Sequence, residues 1–353
     1  MRVAYDAGPL LGSRTGVGRY ASELATALEA RGISLQRYAI SWSAPRSEQV
    51  RRWRLPARVV QEAWRRFDAP VPRGLVGGAD VVHATNFVLP PTGALRGVVT
   101  IHDLSFLRDD VFPGGERLRE LVPWSLRHAA AAVTPTATIA NELASRYEYP
   151  LERITVTSEG VSPVFFGARP LSELALGRMG IPGPFVLAVG TLEPRKNLSG
   201  LVDAWNASKL RLEGWTLVLA GPKGWGPDLP PTEGVMPIGY VGDETLPGLM
   251  AAADVFCYPS HYEGFGLPPL ESMAAGTACI AGRYSAAEEV LGDAAILVDP
   301  NDSDALRDAL LRLVGDATLR ERLARSGKAH AAGYTWDETA AGTARVYESV
   351  IST

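Results

Sequence analysis

Residues 253–282, ADVFCYPSHYEGFGLPPLESMAAGTACIAG, carry the clearest indication of how this chain folds. It contains two continuous apolar runs, 253–260 and 277–282, with a glycine-containing loop and a short segment between them. Pro268 and Pro269 follow the loop, and prolines fit the first turn of a helix because the N–H groups there have no intrahelical partner. Apolar runs without alternation are typical of parallel strands covered on both faces. The stretch therefore predicts a strand, loop, helix and strand within a parallel α/β sheet.

The same alternation continues outward from this stretch in both halves of the chain. Tyr20, Leu24 and Leu28 lie four residues apart, which is helical spacing. Further apolar runs that indicate strands occur at residues 2–6, 80–84, 98–101, 131–135, 184–190, 216–221 and 294–300. Because strands alternate with helices, we expect a parallel α/β sheet in each half.

Glycine and proline concentrate between residues 166 and 184, and we place a domain boundary there. The prediction assigns residues 1–166 to an N-terminal domain and residues 167–335 to a C-terminal domain. The last helix, 336–353, is expected to pack back on the first domain. Since 46% of the 353 residues are hydrophobic, each domain can bury a core of its own.

Composition and charge exclude several classes of protein. The formal net charge is only −4, which gives no sign of a nucleic-acid partner. Cys257 and Cys279 both lie in apolar runs, so we expect buried free thiols, as in a reducing cytosol. The chain starts directly with an apolar strand instead of a signal-peptide pattern. No run reaches the roughly 18 apolar residues of a membrane span, so we predict a cytoplasmic protein.

Four clusters of polar residues follow predicted strands, where ligands bind in open α/β sheets. The first is GSRTGVGRYA at residues 12–21. Gly16 and Gly18 let backbone N–H groups approach an anion at the N-terminus of the next helix. Their spacing also fits the dinucleotide fingerprint, but no acidic residue ends the next strand to bind a ribose. A phosphate contact is favoured, with a structural turn and NAD binding as alternatives.

The second and third clusters are shorter. His102 and Asp103 follow an apolar run, where they could meet a sugar hydroxyl or only satisfy the backbone of a loop. Arg195 and Lys196 also follow an apolar run and precede a helix. The helix dipole disfavours cations at that position, so an anion bound between them would explain their placement. We interpret the pair as a clamp for a diphosphate, and a solvated loop is the alternative.

The fourth cluster contributes two carboxylates from the stretch quoted above. Glu263 lies in the loop, and Glu271 lies about one turn into the helix. One carboxylate can therefore face a sugar while the other faces a ribose diol. An acidic residue near a helix N-terminus also suits the dipole, so Glu271 alone could be structural. A weaker pair, His83 and Asn86, follows an earlier strand.

Together these clusters resemble the retaining glycosyltransferases of family 4, which have the GT-B fold. The resemblance rests on Glu263-x7-Glu271 within YPSHYEGFGLPPLESMAAGTACIA, on VGTLEPRKNL and on EEVLGDAAILVDPND. It covers nearly the whole chain and is strongest from about residue 184 to residue 316. It implies an α/β protein with two Rossmann-like parallel-sheet domains that face each other across a cleft.

The resemblance also implies a role for each matching residue of the stretch quoted above. Glu271 would bind the ribose hydroxyls of a nucleotide-sugar donor. Glu263 would hold the hydroxyls near C3 and C4 of the donor sugar. The N–H groups of Phe265, Gly266 and Leu267 would contact the sugar and the phosphates.

Further roles follow for the remaining clusters. Arg195 and Lys196 would neutralise the leaving diphosphate, and His102 would meet the donor sugar near C6. Gly16 and Gly18 would lie behind the phosphates. The chain departs from the family pattern directly after the strand, because it has TLEPRKN where many members have Arg as the first of these residues. Arg195 would then supply that charge.

The mechanism implied by the resemblance is electrostatic. Negative charge builds on the diphosphate as the anomeric bond breaks, and the cations and N–H groups stabilise it. We expect a metal-independent hexosyltransferase with a nucleotide diphosphate sugar as donor substrate and no cofactor. Asp302-Ser-Asp304 matches a D-x-D metal motif but opens a helical run, so we interpret it as a helix cap.

The sequence indicates the type of reaction more clearly than it indicates the donor and the acceptor. The TLEPRKN segment is similar to that of bacterial mannosyl- and rhamnosyltransferases of polysaccharide assembly, so GDP-mannose is the first expectation. The acceptor is expected to be a glycan, a lipid-linked molecule or a small molecule. Two alternative functions are a sugar-nucleotide epimerase of the same fold and an inactive protein that only binds sugar nucleotides.

Residues 46–73 form an unusually basic segment, with eight arginines against three acidic residues. Pro56 divides the segment, so we predict two short helices with one apolar face. That face would contain Val50, Trp53, Val60, Trp64 and Phe67. A basic amphipathic helix with aromatic residues can lie on an anionic membrane, which predicts peripheral contact at the inner membrane face. The alternative is a surface helix whose tryptophans pack on the core.

Overall fold

We describe the chain from a computed structural model. The structure describes residues 1–11, 16–42, 49–108, 112–226 and 228–352. The chain divides into two compact units, Met1–Gly160 with Trp336–Thr353, and Val161–Thr335. The sequence suggested that the first domain ends at residue 166, whereas the structure divides the chain after Gly160. The reason is that Val161 and Phe165 already lie in the hydrophobic core of the second unit.

The first unit is built on one sheet. Its strands are β1 (Arg2–Asp6), β2 (Ser34–Ile40), β3 (Arg51–Trp53), β4 (Val81–Ala84), β5 (Arg96–Thr100), β6 (Ala131–Thr134) and β7 (Ile154–Val156). Its helices are α1 (Gly16–Ala30), α2 (Ala57–Phe67), α3 (Arg73–Val76), α4 (Gly115–His128), α5 (Ala137–Tyr147) and the C-terminal helix Trp336–Ser352. Within the described residues the strand order is β3-β2-β1-β4-β5-β6-β7, and every pairing is parallel.

Helices cover both faces of this sheet, which explains its continuous apolar strands. All four residues of β4 and of β6 are buried. On one face, Tyr20, Leu24 and Leu28 of α1 pack with the C-terminal helix, in a core that also contains Trp336 and Tyr347. The helical spacing noted in the sequence is therefore the buried stripe of α1.

The second unit has the same architecture. Its strands are β8 (Phe185–Val189), β9 (Thr216–Ala220), β10 (Val235–Gly239), β11 (Val255–Tyr258), β12 (Ala278–Gly282) and β13 (Ile296–Val298). Its helices are α6 (Pro163–Phe166), α7 (Glu173–Arg178), α8 (Leu198–Ser208), α9 (Leu246–Ala252), α10 (Leu267–Ala275), α11 (Ala287–Leu291), α12 (Ser303–Gly315) and α13 (Ala317–Ala331). The C-terminal helix of the first unit is α14. The described strands run in the order β10-β9-β8-β11-β12-β13, all parallel.

This strand order creates a reversal point in each sheet. β8 pairs with β9 on one side and with β11 on the other. After β8 the chain continues to β9, and after β11 it continues to β12 on the opposite side of the sheet. The loops beyond the carboxyl ends of two such strands diverge and leave a crevice in which ligands bind. In the first unit β1 and β4 stand in the same relation. The loops after β8 and β11 are the ones that the sequence singled out.

The basic segment differs from its prediction. Residues 43–48, which include Arg46 and Glu48, lie outside the described residues. The first of the two expected helices is wrong, because Arg51–Trp53 pairs with the edge of β2 as β3. The second is α2, and its Val60 and Trp64 pack against Trp124 of α4, which matches the alternative of a surface helix whose tryptophan packs on the core. Pairing at a sheet edge thus prevailed over local helical spacing.

Two further expectations concern cysteines and membrane spans. Cys257 and Cys279 are free and buried, which confirms the prediction. Across the part of the chain that the structure describes, no helix is long and apolar enough to span a bilayer.

Candidate active site

A short turn positions the two adjacent cations of the second unit. Arg195 and Lys196 lie on the 3₁₀ turn Pro194–Lys196, just beyond the carboxyl end of β8. Asn197 follows in the left-handed conformation, with φ of 53°, and starts α8; asparagine tolerates this region better than most residues. The N–H of His261, in the loop after β11, donates to the carbonyl of Arg195 at 2.9 Å. The turn is therefore held against the neighbouring loop.

Glu263 is the centre of a cluster of charges on these two loops. Its Oε2 accepts from Nη1 of Arg195 at 2.5 Å, and its Oε1 accepts from Nζ of Lys196 at 2.7 Å. The hydroxyl of Tyr258 donates to the same Oε1 at 3.0 Å. Glu193 Oε1 accepts from Nε and Nη2 of Arg195 at 3.0 and 2.7 Å. Two partly buried cations and two buried carboxylates thus balance within one group.

The electrostatics of this group keep Glu263 ionised. Burial acts to raise the pKa of Glu263, but Arg195 and Lys196 together outweigh it and lower the pKa to about 2. Burial lowers the pKa of Lys196, and Glu263 opposes that effect. Burial also raises the pKa of Glu193, against the influence of Arg195. Glu263 is therefore a permanent counter-charge that fixes the direction of both cations.

The loop after β11 ends at the N-terminus of α10 with a row of free amides. Within the described residues, the N–H groups of Phe265, Gly266 and Leu267 donate no hydrogen bond, and the two prolines that follow have no N–H. Free amides at a helix N-terminus favour an anion. Gly266 has φ of 96°, and a Cβ there would lie 2.3 Å from the hydroxyl of Tyr284. Glycine is therefore required to expose these amides.

Glu271 and Glu263 come from the same loop–helix segment but have different surroundings. Glu271 lies within α10 and is 1% exposed. Glu263 is attached to the turn after β8, as described above. The structure thus brings Arg195, Lys196 and Glu263 into direct contact and leaves Glu271 on the adjacent helix.

His102 lies in the first unit, after β5, with a protein group near each of its ring nitrogens. Its Nε2 is 2.9 Å from the carbonyl oxygen of Thr85, which can only accept, so Nε2 carries a proton. Its Nδ1 is 3.4 Å from Oε1 of Glu159. The ring of Tyr20 packs edge-on against it, with centroids 4.6 Å apart. The Thr85 carbonyl and the ring of Tyr20 therefore orient a histidine that sequence reasoning had singled out alone, and Glu159 lies beside its Nδ1.

The glycines of the first cluster lie at the start of α1. Gly16 is its first residue and is exposed, and no atom of the described residues lies within 4 Å of where a Cβ would be. Gly18 is buried in the same helix. Residues 12–15 of this cluster lie outside the described residues. A phosphate contact by Gly16 and Gly18 therefore stays a prediction.

Two family models match the chain in succession. Residues 14–165 match the model described as Glycosyltransferase Family 4, and residues 181–330 match the model described as Glycosyl transferases group 1. Over 283 residues the chain is 33% identical to the O-antigen chain mannosyltransferase B of Escherichia coli, and this match covers 76% of the chain and 74% of the relative. The chain belongs to the family 4 glycosyltransferases.

Two other comparisons bear on this glycosyltransferase. It is 42% identical over 116 residues to the MMP alpha-(1->4)-mannosyltransferase of Mycolicibacterium hassiacum, which covers 32% of the chain and 28% of the relative. A sucrose-phosphate synthase from Thermosynechococcus elongatus superimposes with a TM-score of 0.77 at 20% identity, over 100% of this chain and 99% of the other. That structural likeness shows the GT-B fold of two Rossmann-like domains, as predicted.

Several residues around the site of this glycosyltransferase escaped sequence reasoning. Tyr258 donates a hydrogen bond to Glu263, Glu193 accepts hydrogen bonds from Arg195, and Glu159 lies beside His102. Tyr258 ends a buried strand and Glu193 precedes the cations, so their positions offered a weak signal. Glu159 offered none, because its contact joins residues 57 positions apart in the chain (159 minus 102).

The possible metal motif has a structural role in this glycosyltransferase. Asp302 caps α12, with Oδ1 accepting from the N–H of Ala305 at 2.8 Å, and this confirms the prediction of a cap. Among the described residues, no three side chains of the types that bind metals converge on one point.

Proposed function

We propose that this chain is a retaining, metal-independent hexosyltransferase that transfers mannose from GDP-mannose to a glycan, a lipid-linked molecule or a small molecule. The observation that carries the proposal is the buried Glu263 cluster beside the free amides of α10. Oriented cations and N–H groups in a water-poor site stabilise the charge that develops on a leaving diphosphate. Mannose is supported by the names of two relatives, both of which are mannosyltransferases.

In this proposal each residue of the second unit acts on one part of the donor. Arg195 and Lys196 neutralise the diphosphate as the anomeric bond breaks. The N–H groups from Phe265 to Leu267 contact the phosphates and the sugar, and Glu271 binds the ribose hydroxyls. Glu263 fixes the two cations and accepts hydrogen bonds from the donor sugar.

The residues of the first unit have supporting roles. His102, with Nε2 on the Thr85 carbonyl, contacts the sugar near C6, and Gly16 and Gly18 lie behind the phosphates. The acceptor attacks the face from which the diphosphate departs, so the anomeric configuration is retained. We assign no catalytic base to the protein, because the departing phosphate can take the proton of the acceptor.

A panel of nucleotide sugars tests the proposal directly. The chain is incubated with GDP-mannose and with other GDP-, UDP- and dTDP-sugars, without an added acceptor. We expect slow release of GDP from GDP-mannose alone and faster release when a mannoside acceptor is added. NMR of the transfer product should show a new linkage in the α configuration. An epimerised donor would replace the proposal by the epimerase alternative. Binding without release from any donor, with or without acceptor, would leave a sugar-nucleotide-binding protein.

The cations provide the sharpest variant. Hydrogen bonds to charged groups contribute about 1.5–3 kcal/mol each, and each ~1.4 kcal/mol is tenfold in rate. We therefore expect Arg195→Ala with Lys196→Ala to lower kcat/KM by about 10²–10⁴-fold. The matched control is Arg211→Ala with Arg325→Ala, which removes two cations of the same unit that are more exposed than Arg195 and Lys196.

The double variant leaves Glu263 buried without its partners, so folding is followed by circular dichroism. Lys196→Gln keeps Arg195 on Glu263 and is the milder second variant. We expect it to lose activity while it melts close to wild type. Near-normal kcat/KM in both variants would contradict the assignment of the clamp.

A further inference from the structure

The hydroxyl of Tyr258 joins two opposite charges of the candidate site. Tyr258 is the last residue of β11 and is 3% exposed. Its hydroxyl oxygen accepts a hydrogen bond from Nζ of Lys196 at 2.5 Å and donates one to Oε1 of Glu263 at 3.0 Å. Lys196 also donates to the same Oε1 at 2.7 Å. The three polar atoms therefore form a closed triangle.

The packing of this side chain does not depend on the hydroxyl. The ring of Tyr258 stacks on Phe256, with centroids 6.3 Å apart, and meets the ring of Tyr284 edge-on, with centroids 6.4 Å apart. A phenylalanine ring would make the same two contacts. Among the described residues, the hydroxyl has hydrogen bonds with Lys196 and Glu263 alone. The oxygen therefore acts on the charged group and adds nothing to the apolar core.

The charges on either side fix the orientation of this hydroxyl. Burial raises the pKa of Tyr258 well above its usual value, and the carboxylate of Glu263 raises it further, so the hydroxyl keeps its proton. A phenolic hydroxyl has a single proton to donate. Because that proton points to Glu263, a lone pair of the oxygen faces Lys196. Tyr258 is thus a fixed dipole between a carboxylate and a cation.

Lys196 is the member of the group that most needs such a partner. A lysine ammonium lies at the end of a flexible four-carbon stem and has three donors that rotate together. Glu263 alone would leave the ammonium of Lys196 free to turn about one hydrogen bond. Glu263 and Tyr258 together occupy two of its three N–H groups. Since the N–H bonds of an ammonium are tetrahedral, the third N–H then has one defined direction.

We propose that Tyr258 is a positioning residue that fixes the ammonium of Lys196 and directs its third N–H at the diphosphate of the donor. The inference rests on the proposed function, in which Lys196 neutralises that diphosphate. Extra negative charge appears on the diphosphate only as the anomeric bond breaks, so a correctly placed N–H stabilises the transition state more than the bound donor. Loss of the Tyr258 hydroxyl should therefore lower kcat and leave KM almost unchanged.

Tyr258→Phe tests the inference because it removes the hydroxyl and keeps the ring and the net charge. Thr277→Val is the matched control. It also removes a buried hydroxyl of the second unit, which donates to the carbonyl of Met250 at 2.6 Å. Thr277 directly precedes β12 and so lies at the amino edge of the sheet, away from the site. We expect both variants to fold, as followed by circular dichroism, and to melt below wild type.

Release of GDP from GDP-mannose without an acceptor gives the kinetic measurement. We expect Tyr258→Phe to lower kcat about 10–100-fold and to change KM by less than about twofold. Thr277→Val should keep both constants near the wild-type values. Equal kcat values for the two variants, or a loss that lies entirely in KM, would contradict the positioning role.

NMR of isotope-labelled lysine tests the order of the ammonium without any donor. The chain contains four lysines, Lys196, Lys209, Lys223 and Lys328, and Lys196→Gln identifies the signal of Lys196 by its loss. We expect the two Hε protons of Lys196 to have separate shifts in wild type and in Thr277→Val, because the ammonium is fixed. In Tyr258→Phe the two shifts should merge. Merged shifts in wild type, or separate shifts in Tyr258→Phe, would overturn the inference.

The two measurements separate this inference from the proposed function. If wild type releases no nucleotide from any donor but the order of Lys196 depends on Tyr258, the proposed transfer fails and the ordering of the ammonium by Tyr258 stands. If Tyr258→Phe releases GDP at the wild-type rate, the positioning role fails and the proposed transfer stands.

Discussion

Glu263 illustrates how one residue acquires its role from its contacts. The family resemblance assigns it to sugar hydroxyls, whereas in the structure it accepts hydrogen bonds from Arg195, Lys196 and Tyr258. A carboxylate buried with two cations stays charged and orders them before a substrate arrives. Such preorganisation is what lowers the reorganisation needed as charge develops in a transition state. The two glutamates should therefore differ in their effect on nucleotide binding.

We expect Glu271→Gln to weaken both GDP and GDP-mannose by about 10–100-fold, because it removes charge-assisted hydrogen bonds to the ribose. Glu263→Gln should behave differently. It changes the net charge of the Glu193, Arg195, Lys196 and Glu263 group from zero to +1. GDP should then bind at least as tightly as to wild type, while kcat falls because the cations lose their anchor.

Calorimetry with GDP and steady-state kinetics with GDP-mannose measure the two effects on the same preparations. Weaker GDP binding to Glu263→Gln, of the size seen for Glu271→Gln, would mean that Glu263 does not act through the cations. Undiminished GDP binding to Glu271→Gln would remove Glu271 from the ribose site.

The two faces of helix α2 have different surroundings. Val60 and Trp64 pack against Trp124 in the core, so that face is closed to a membrane. On the rest of the helix Val59 is 65% exposed and Phe67 is 73% exposed, eight residues apart and therefore on a similar side. Arg58 and Arg66 are exposed beside them. A contact of α2 with lipid would therefore use this second face.

We expect the chain to bind vesicles that contain anionic phospholipid at low salt, and to dissociate as salt rises, since exposed charges are screened beyond about 8 Å at physiological salt. Phe67→Ser with Arg66→Gln should abolish co-sedimentation but not GDP release from GDP-mannose. Leu212→Ser, at a residue of the second unit that is 69% exposed, is the control. Wild-type protein that stays in solution at low salt would end the membrane hypothesis.

The last helix of the chain completes the first unit. His83 on β4 links α14 to the sheet, because its Nδ1 lies 2.6 Å from the hydroxyl of Tyr347 and its Nε2 lies 2.8 Å from Oγ1 of Thr100. His83 is fully buried, and burial lowers its pKa to about 3. This histidine, a weak site candidate from its sequence position, therefore has a structural role.

Tyr347→Phe should lower stability by about 1–3 kcal/mol, because it leaves a buried ring nitrogen of His83 without a partner. Hydrogen exchange should accelerate across 336–352 in this variant. Tyr149→Phe is the control, because it removes a buried hydroxyl that has no hydrogen-bond partner in the described part of the chain. Unchanged exchange in the last helix would show that the link contributes nothing.

His83 should also make stability depend on pH. The unfolded chain protonates it below about pH 6.5, whereas the folded chain keeps it neutral down to about pH 3. The unfolded state therefore binds more protons in this interval, and stability falls as pH falls from about 6.5 toward 3. At pH 5 the loss is about 2 kcal/mol relative to pH 7.5. Urea unfolding of wild type and His83→Gln at both pH values should show a smaller pH effect in the variant; equal effects would refute the link.

Features that depend on neighbouring residues could be predicted from the sequence. Continuous apolar runs such as 216–221 and 277–282 have few alternatives to buried parallel strands, and Pro268 and Pro269 mark the start of α10. Because parallel strands end at one edge of a sheet, the polar residues that follow them had to gather there. The family could be recognised for the same reason, because each of its motifs is a continuous stretch of the sequence.

Which of those residues contact each other depends on how distant segments of the chain pack. Arg195 and Glu263 are 68 positions apart, and His83 and Tyr347 are 264 apart. Nothing local indicates that Glu263 holds the cations, that His83 is a structural link, or that Tyr258 joins Lys196 to Glu263. Arg51–Trp53 became a strand because β2 offered an unpaired edge. Periodicity is a property of adjacent residues, whereas charge pairing and edge pairing arise only when distant segments pack together.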